Sequence, residues 1–161
     1  MTPTRSRRRG AAVLAASAPS LRLRLARLDQ DQADLERARD LLEQARAAVQ
    51  GDPREAFELV HRAALRGAGV LVARANRERR RPLPLNVWTA LARLGGEEVE
   101  RAESLAPLVS ERMRLDRDPS AQPAPDLLER HLEETATHLA QISGRLLEDF
   151  PAHITDLTAA G

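Results

Sequence analysis

The chain has 161 residues and contains no cysteine, no tyrosine and no lysine. Only three residues are aromatic: Phe57, Trp88 and Phe150. Without cysteine there is neither a disulfide nor a thiolate metal site. Without lysine there is no Schiff-base nucleophile and no P-loop lysine. The apolar residues are chiefly Leu, Ala and Val, and a core of that kind suits helices, because strands favour β-branched and aromatic side chains. The longest uncharged run, Gly10 to Leu21, is twelve residues, short of the roughly 18 that suggest a membrane span.

All 25 basic residues are arginine. The planar guanidinium fork suits phosphate, but a GC-rich coding sequence produces the same enrichment together with abundant alanine, and that is the plainer reading. The net charge is +1 and unevenly spread. Residues 1–28 carry seven arginines and no acid, which leaves 18 arginines against 24 acids, a net −6, for the rest. A basic arm on an acidic body is a candidate non-specific phosphate contact. Arg7, Arg8 and Arg9 precede Ala11–Ala16, and Ala16-Ser17-Ala18 has the small-x-small shape of a cleavage site. The apolar stretch is short and alanine-dominated, so the expectation is a soluble, cytoplasmic protein without membrane association.

Apolar periodicity marks four helical patterns and no strand. Leu21, Leu28, Leu35, Leu42 and Val49 repeat every seven residues, with Ala38 and Ala45 between. Arginines flank this seam before residue 30, so the first helix is expected from Asp31 to Gln50. Gly51-Asp52-Pro53 then closes one helix and opens the next: a left-handed glycine, an N-cap and a first-turn proline, with Glu55 available for a capping box. The second helix runs from Pro53 to about Ala75, with Phe57, Val60, Ala64, Ala68, Leu71 and Ala75 inward. Gly67 and Gly69 within it allow a neighbouring helix to come close.

The charge run Arg77–Arg81 and two prolines break the pattern. A third, interrupted element follows. Asn86 caps a short helix to Leu94, Gly95-Gly96 ends it, and Glu97 to Leu115 continues with Val99, Ala102, Leu105, Val109 and Met113 inward and a kink at Pro107. Residues 116–125 hold three prolines and form a loop. The fourth helix starts at Asp126, with Glu129 completing a capping box, and Leu128, Leu132, Thr135, Leu139, Ile142 and Leu146 form its seam until Pro151. The fold expected is all-α: an antiparallel four-helix bundle over residues 29–150, with a basic arm over 1–28 and a tail over 151–161.

Two side chains are candidates for chemistry. On the second helix His61 and Arg54 project within about 20° of each other, roughly 10 Å apart in height, at the edge of the apolar arc. The plain reading is a core-edge histidine bonded to a neighbouring helix and a solvated first-turn arginine. Glu58-x-x-His61 has the spacing of di-iron carboxylate bundles, but Glu58 falls about 100° from Phe57. Glu134 and His138 are separated by three residues rather than two. His131 and His138 sit on the flank of their helix, where partial exposure is expected. No metal and no cofactor is therefore expected.

The run Asp40-Leu-Leu-Glu-Gln-Ala-Arg46, then Gly51-Asp52-Pro53-Arg54-x-x-Phe57-x-x-x-His61-x-Ala63-Ala64-Leu65-Arg66, then Val87-Trp88-x-x-Leu91-Ala92, resembles a family of small actinobacterial HEPN-domain proteins. The resemblance covers about residues 33–147. It implies a four- or five-helix bundle, often dimeric, of a kind many of whose members are linked to RNA. In ribonuclease members an Arg and a following His with four to six residues between them form a metal-independent site. The His moves the proton at the 2′-hydroxyl and leaving oxygen, while the Arg stabilises phosphate charge. Arg54 and His61, with six residues between, fit that spacing. Two departures stand against carrying the activity over: the motif normally sits on a later helix, and the residue after the Arg is normally Asn, Asp or His where this chain has Glu55.

The expectation is thus a non-catalytic, HEPN-like module associated with RNA or a nucleotide. Its phosphate contacts would come from Arg7, Arg8, Arg9, Arg77, Arg79, Arg80 and Arg81. The alternatives are a ribonuclease using Arg54 and His61, and a protein-interaction bundle without nucleic acid. The long seams on the first and fourth helices and the small residues of the second lead us to expect a homodimer.

Overall fold

A computed structural model describes the backbone from Ser6 to Glu148 and the side chains from Pro19 to Glu148. The described residues form five helices: α1 (Ser6–Ala48), α2 (Pro53–Asn76), α3 (Val87–Arg93), α4 (Glu97–Arg117) and α5 (Pro125–Glu148). The side chains of Arg7, Arg8 and Arg9, and residues 149–161 with Phe150, lie outside the described residues.

Local chemistry accounts for most of the helix ends. Asp52 caps α2, its carboxylate accepting from the Glu55 amide at 3.0 Å, with Pro53 at the first helical position. The reciprocal half of the capping box is not made, because the Asp52 amide donates to the Ala48 carbonyl at 2.8 Å. That bond also reverses the chain without a left-handed residue, so the expectation for Gly51 is corrected. Among the described residues only Gly95 (φ 77) and Gly96 (φ 57) have positive φ. There the freedom of glycine is required: Asn86 caps α3 through the Thr89 amide at 3.0 Å, and the two glycines redirect the chain into α4. α4 stays helical through Pro107. α5 begins one residue before the expected Asp126 cap, with Pro125 at its first position and the Ala124 carbonyl accepting the first bonds.

α1 starts well before Asp31. Leucine, alanine and arginine are all strong helix formers, so a segment without acids still propagates a helix, and the boundary between residues 28 and 29 falls inside it.

Cross-helix contacts give the topology. Asp31 meets Arg77 and Ala48 meets Asp52, so α1 and α2 are antiparallel. Glu58 meets Arg112, so α4 runs against α2. His61 meets His131, and Gly67 faces Leu139, so α2 and α5 are parallel. The bundle is therefore up-down-up-down, with α3 and α4 as the interrupted third element. A Cβ at Gly67 would stand 2.4 Å from Leu139 Cδ2, whereas Gly69 has nothing within 4 Å; the close approach of α2 to α5 rests on Gly67 alone. Phe57, Val60, Ala64, Ala68 and Leu71 are buried as their spacing predicts, and so are Leu128, Thr135, Leu139, Ile142 and Leu146.

α4 differs from expectation. Met113 is 47 % exposed, and the buried positions are Glu98, Leu105, Leu108, Glu111 and Leu115. α4 makes few close backbone approaches to α2 and α5, and long polar side chains fill the space between. Past the level of Asp31, α1 projects beyond α2: residues 6–28 extend roughly 33 Å at about 1.5 Å per residue. Among the described residues, no helix is long and apolar enough to cross a membrane.

Candidate functional site

Arg54 and His61 share a face of α2 and bond to different partners. The Arg54 guanidinium donates to the carbonyls of Asp118 at 3.0 Å, Ala121 at 2.9 Å and Leu115. It therefore ties the first turn of α2 to the C-terminal end of α4 and the loop that follows. Arg54 is half-buried rather than solvated.

His61 is 2 % exposed. Its Nδ1 lies 3.4 Å from His131 Nε2, and His131 Nδ1 lies 3.2 Å from Thr135 Oγ1. Thr135 Oγ1 in turn accepts from Arg101 Nη2 at 3.3 Å. Trp88 of α3, half-buried, meets the His61 ring edge-on with centroids 5.9 Å apart, and Phe57 does the same to His131 at 5.3 Å. Burial, reinforced by the nearby Arg112 charge, pushes the His61 pKa down to about 4. Burial, reinforced by His61, brings His131 down to about 3. Both rings are therefore neutral at pH 7, joined by one shared hydrogen bond.

His131 and His138 are fully buried, contrary to the partial exposure expected from the flank of α5. The polar partners that make this possible come from α2 and α4: His61 for the first, and for the second the Glu98 carboxylate, 3.1 Å from His138 Nε2 and also paired with Arg145. Arg101 is almost as deeply placed, and desolvation lowers its pKa to about 10. Its Nη1 faces Glu134 at 3.4 Å, while its Nε has no hydrogen-bond partner.

The arginine whose charge acts on His61 is Arg112 of α4, not Arg54. Arg112 forks onto Glu58, with Nε–Oε2 3.0 Å and Nη2–Oε1 3.1 Å. Its hydrogen bond holds the Glu58 carboxyl below the usual carboxylate range. Periodicity could have pointed to these residues. Glu98, Arg101, Leu105, Leu108, Arg112 and Leu115 follow a 3-4-3-4-3 spacing, the stripe of an inward helix face with three charged members. Among the described residues no group of three or more His, Asp or Glu side chains is arranged to hold a metal ion.

A cleft of about 260 Å³ opens beside Arg54 at the α2–α4 end of the bundle. Asp52, Glu55, Glu58 and Asp116 line it together with Arg54 and Arg112, and His61 does not. Four carboxylates outnumber two arginines that are already engaged, so the cleft disfavours phosphate.

The opposite end of the bundle is basic. Arg77 pairs with Asp31 through Nη2–Oδ1 2.7 Å and Nη1–Oδ2 2.9 Å. This pair, with Asp31 5 % and Arg77 23 % exposed at the side chain, ties the loop after α2 to α1. Arg77 is thus an anchor rather than a free cation. Arg79, Arg80 and Arg81 are exposed and make no ion pair among the described residues. Arg24 and Arg27, which sequence reasoning did not single out, precede Asp31 by seven and four residues. They stand on its face of α1, exposed and likewise without an ion pair. The loop itself is fixed: the Leu83 amide donates to Asn76 Oδ1 at 2.9 Å, and the Leu83 side chain packs with Val72 and Ala90.

The model of the SAV_6107-like HEPN family matches residues 47–143 of the chain. The matched span takes in α2, α3, α4 and most of α5, while the greater part of α1 lies before it. No curated protein and no solved structure matches the chain.

Proposed function

The chain belongs to the SAV_6107-like HEPN family, and from that premise we propose that it is a non-catalytic, RNA-associated helical module that holds nucleic acid by its phosphates. The observation carrying this reading is the basic end, where Arg24 and Arg27 on α1 and Arg79, Arg80 and Arg81 on the adjoining loop stand exposed and without an ion pair among the described residues, linked by the Arg77–Asp31 pair. Guanidinium groups of this kind make phosphate contacts that carry affinity without sequence information. Arg7, Arg8 and Arg9 belong to the same reading by their charge and their place before Arg24 in the chain. The engagement of Arg54 with carbonyls at and just after the end of α4, and of His61 with His131, favours the non-catalytic form over a ribonuclease.

A homodimer and a cytoplasmic setting go with this proposal. The half-buried Leu21, Leu25 and Leu28 carry the α1 seam past the level of Asp31, and so offer apolar surface to a second copy. Light scattering at micromolar concentration should give twice the chain mass, and a monomer would remove that part.

The test of the RNA reading is anisotropy with labelled RNA across a salt series. Five phosphate contacts predict an affinity loss of roughly a hundredfold or more between about 50 and 200 mM salt. Substituting Arg79, Arg80 and Arg81 together by alanine should flatten that dependence. Undetectable binding at about 50 mM salt would favour a protein-interaction bundle instead.

A further inference from the structure

The basic end carries more than charge, and the arrangement bears on which form of nucleic acid it takes. Single strands are held by aromatic platforms on which bases stack. Here Phe57 is buried, Trp88 packs against His61, and no other aromatic side chain occurs among the described residues. The five arginines are held on two rigid supports instead. One is the helical run of α1 just before Asp31; the other is a loop stiffened by Pro82 and Pro84 and fixed through Arg77 and Leu83. Cations carried on two ordered backbone supports suit the regular phosphates bordering a groove better than a flexible strand.

One residue of the loop is apolar and fully in solvent: Leu85 is 101 % exposed, beside the buried Leu83 that anchors it. An exposed apolar side chain on the same loop as Arg79, Arg80 and Arg81 has no use in a purely ionic contact. Proteins that grip duplexes from the minor-groove side place leucine or proline wedges against base steps in this way. In an A-form helix that groove is wide and shallow enough to be reached.

Resting on the nucleic-acid reading above, we infer that the ligand of this end is double-helical RNA, held through its backbone, with Leu85 set against the minor groove and no selection of base sequence. Arg24 and Arg27 contact one phosphate row, and Arg79, Arg80 and Arg81 contact the other.

The test is anisotropy of the full chain with a labelled 20-base-pair RNA duplex, a scrambled duplex of equal composition and one constituent single strand, at equal salt. The duplex should bind about fivefold or more tightly than the single strand, and the scrambled duplex within about twofold of the first. Leu85→Ala, a solvent-exposed change whose folding is checked by circular dichroism, should weaken duplex binding about threefold or more and leave single-strand binding unchanged. Substituting Arg79, Arg80 and Arg81 together by alanine should weaken both. Equal or tighter single-strand binding, discrimination between the two duplexes, or an equal effect of Leu85→Ala on both forms would overturn the duplex assignment while leaving phosphate binding in place. Absence of binding to any of the three would overturn the RNA reading itself.

Discussion

Acid should destabilise this protein earlier than carboxylate titration alone would. In the folded chain His61 and His131 are buried and neutral, with pKa values near 4 and 3 against an ordinary 6.5. Between pH 6.5 and about 4 the unfolded chain binds protons at these two positions and the folded chain does not. Stability is therefore complete above pH 6.5 and falls as the pH is lowered. Each histidine contributes about 1.4 kcal/mol per pH unit, so at pH 5 each costs about 2 kcal/mol and the pair about 4 kcal/mol. Burial and the Arg101 charge also lower the His138 pKa, to about 4, so this ring acts in the same direction and adds to the sum. A domain of this size loses roughly 10–20 °C in Tm from such a change. The assay is thermal unfolding by circular dichroism at pH 8 and pH 5, at constant ionic strength. Glu58, whose pKa is lowered, releases its contribution only under more acid conditions. His131→Gln should remove about half of the contribution of the His61–His131 pair. A Tm that moves by less than about 3 °C between the two pH values would refute the buried, neutral histidine pair.

Arg54→Ala should cost about 1–3 kcal/mol, read from urea unfolding, because the guanidinium bonds to the Leu115, Asp118 and Ala121 carbonyls are lost. Arg54→Lys should recover little of that loss, since an ammonium lacks the fork that reaches them. Gly69→Ala should raise stability by about 0.5–1 kcal/mol, because nothing stands within reach of the new methyl group in mid-helix. Gly67→Ala should lower it by about 1 kcal/mol, the clash with Leu139 outweighing the same gain in helix propensity; equal effects at the two glycines would contradict the packing of α2 on α5. Asp31→Ala should cost about 1–3 kcal/mol, and a double-mutant cycle with Arg77→Ala should show coupling between the two.

What was legible in the sequence follows the range of the interactions. The Asp52 and Asn86 caps, the glycine break before α4 and the buried faces of α2 and α5 are set within a turn or two, and each stands where spacing predicts it. The role of Arg54 is not local: its acceptors lie 61 to 67 residues away, at the end of another helix. The same holds for His131 and His138, whose burial depends on His61 and Glu98 rather than on their own helix. On α4 a purely apolar template selected Met113 and passed over the stripe containing Glu98, Arg101 and Arg112, because it cannot register a face whose inward members are paired charges. α1 starts early because arginine is a good helix former, so an arginine-rich flank is no helix boundary. For the basic end, composition pointed to Arg77 together with Arg79–Arg81, but only the Asp31 contact separates the anchor from the exposed cations and brings Arg24 and Arg27 beside them.

The central claim is that Arg54 and His61 build the bundle instead of forming a nuclease site. It is tested most directly by incubating labelled single-stranded RNA with the purified chain in the presence of a metal chelator and resolving the RNA on a denaturing gel. The account predicts intact RNA over hours, with His61→Ala and Arg54→Ala altering only the unfolding curve. Fragments ending in a 2′,3′-cyclic phosphate, lost in both variants while their helical circular dichroism persists, would contradict it.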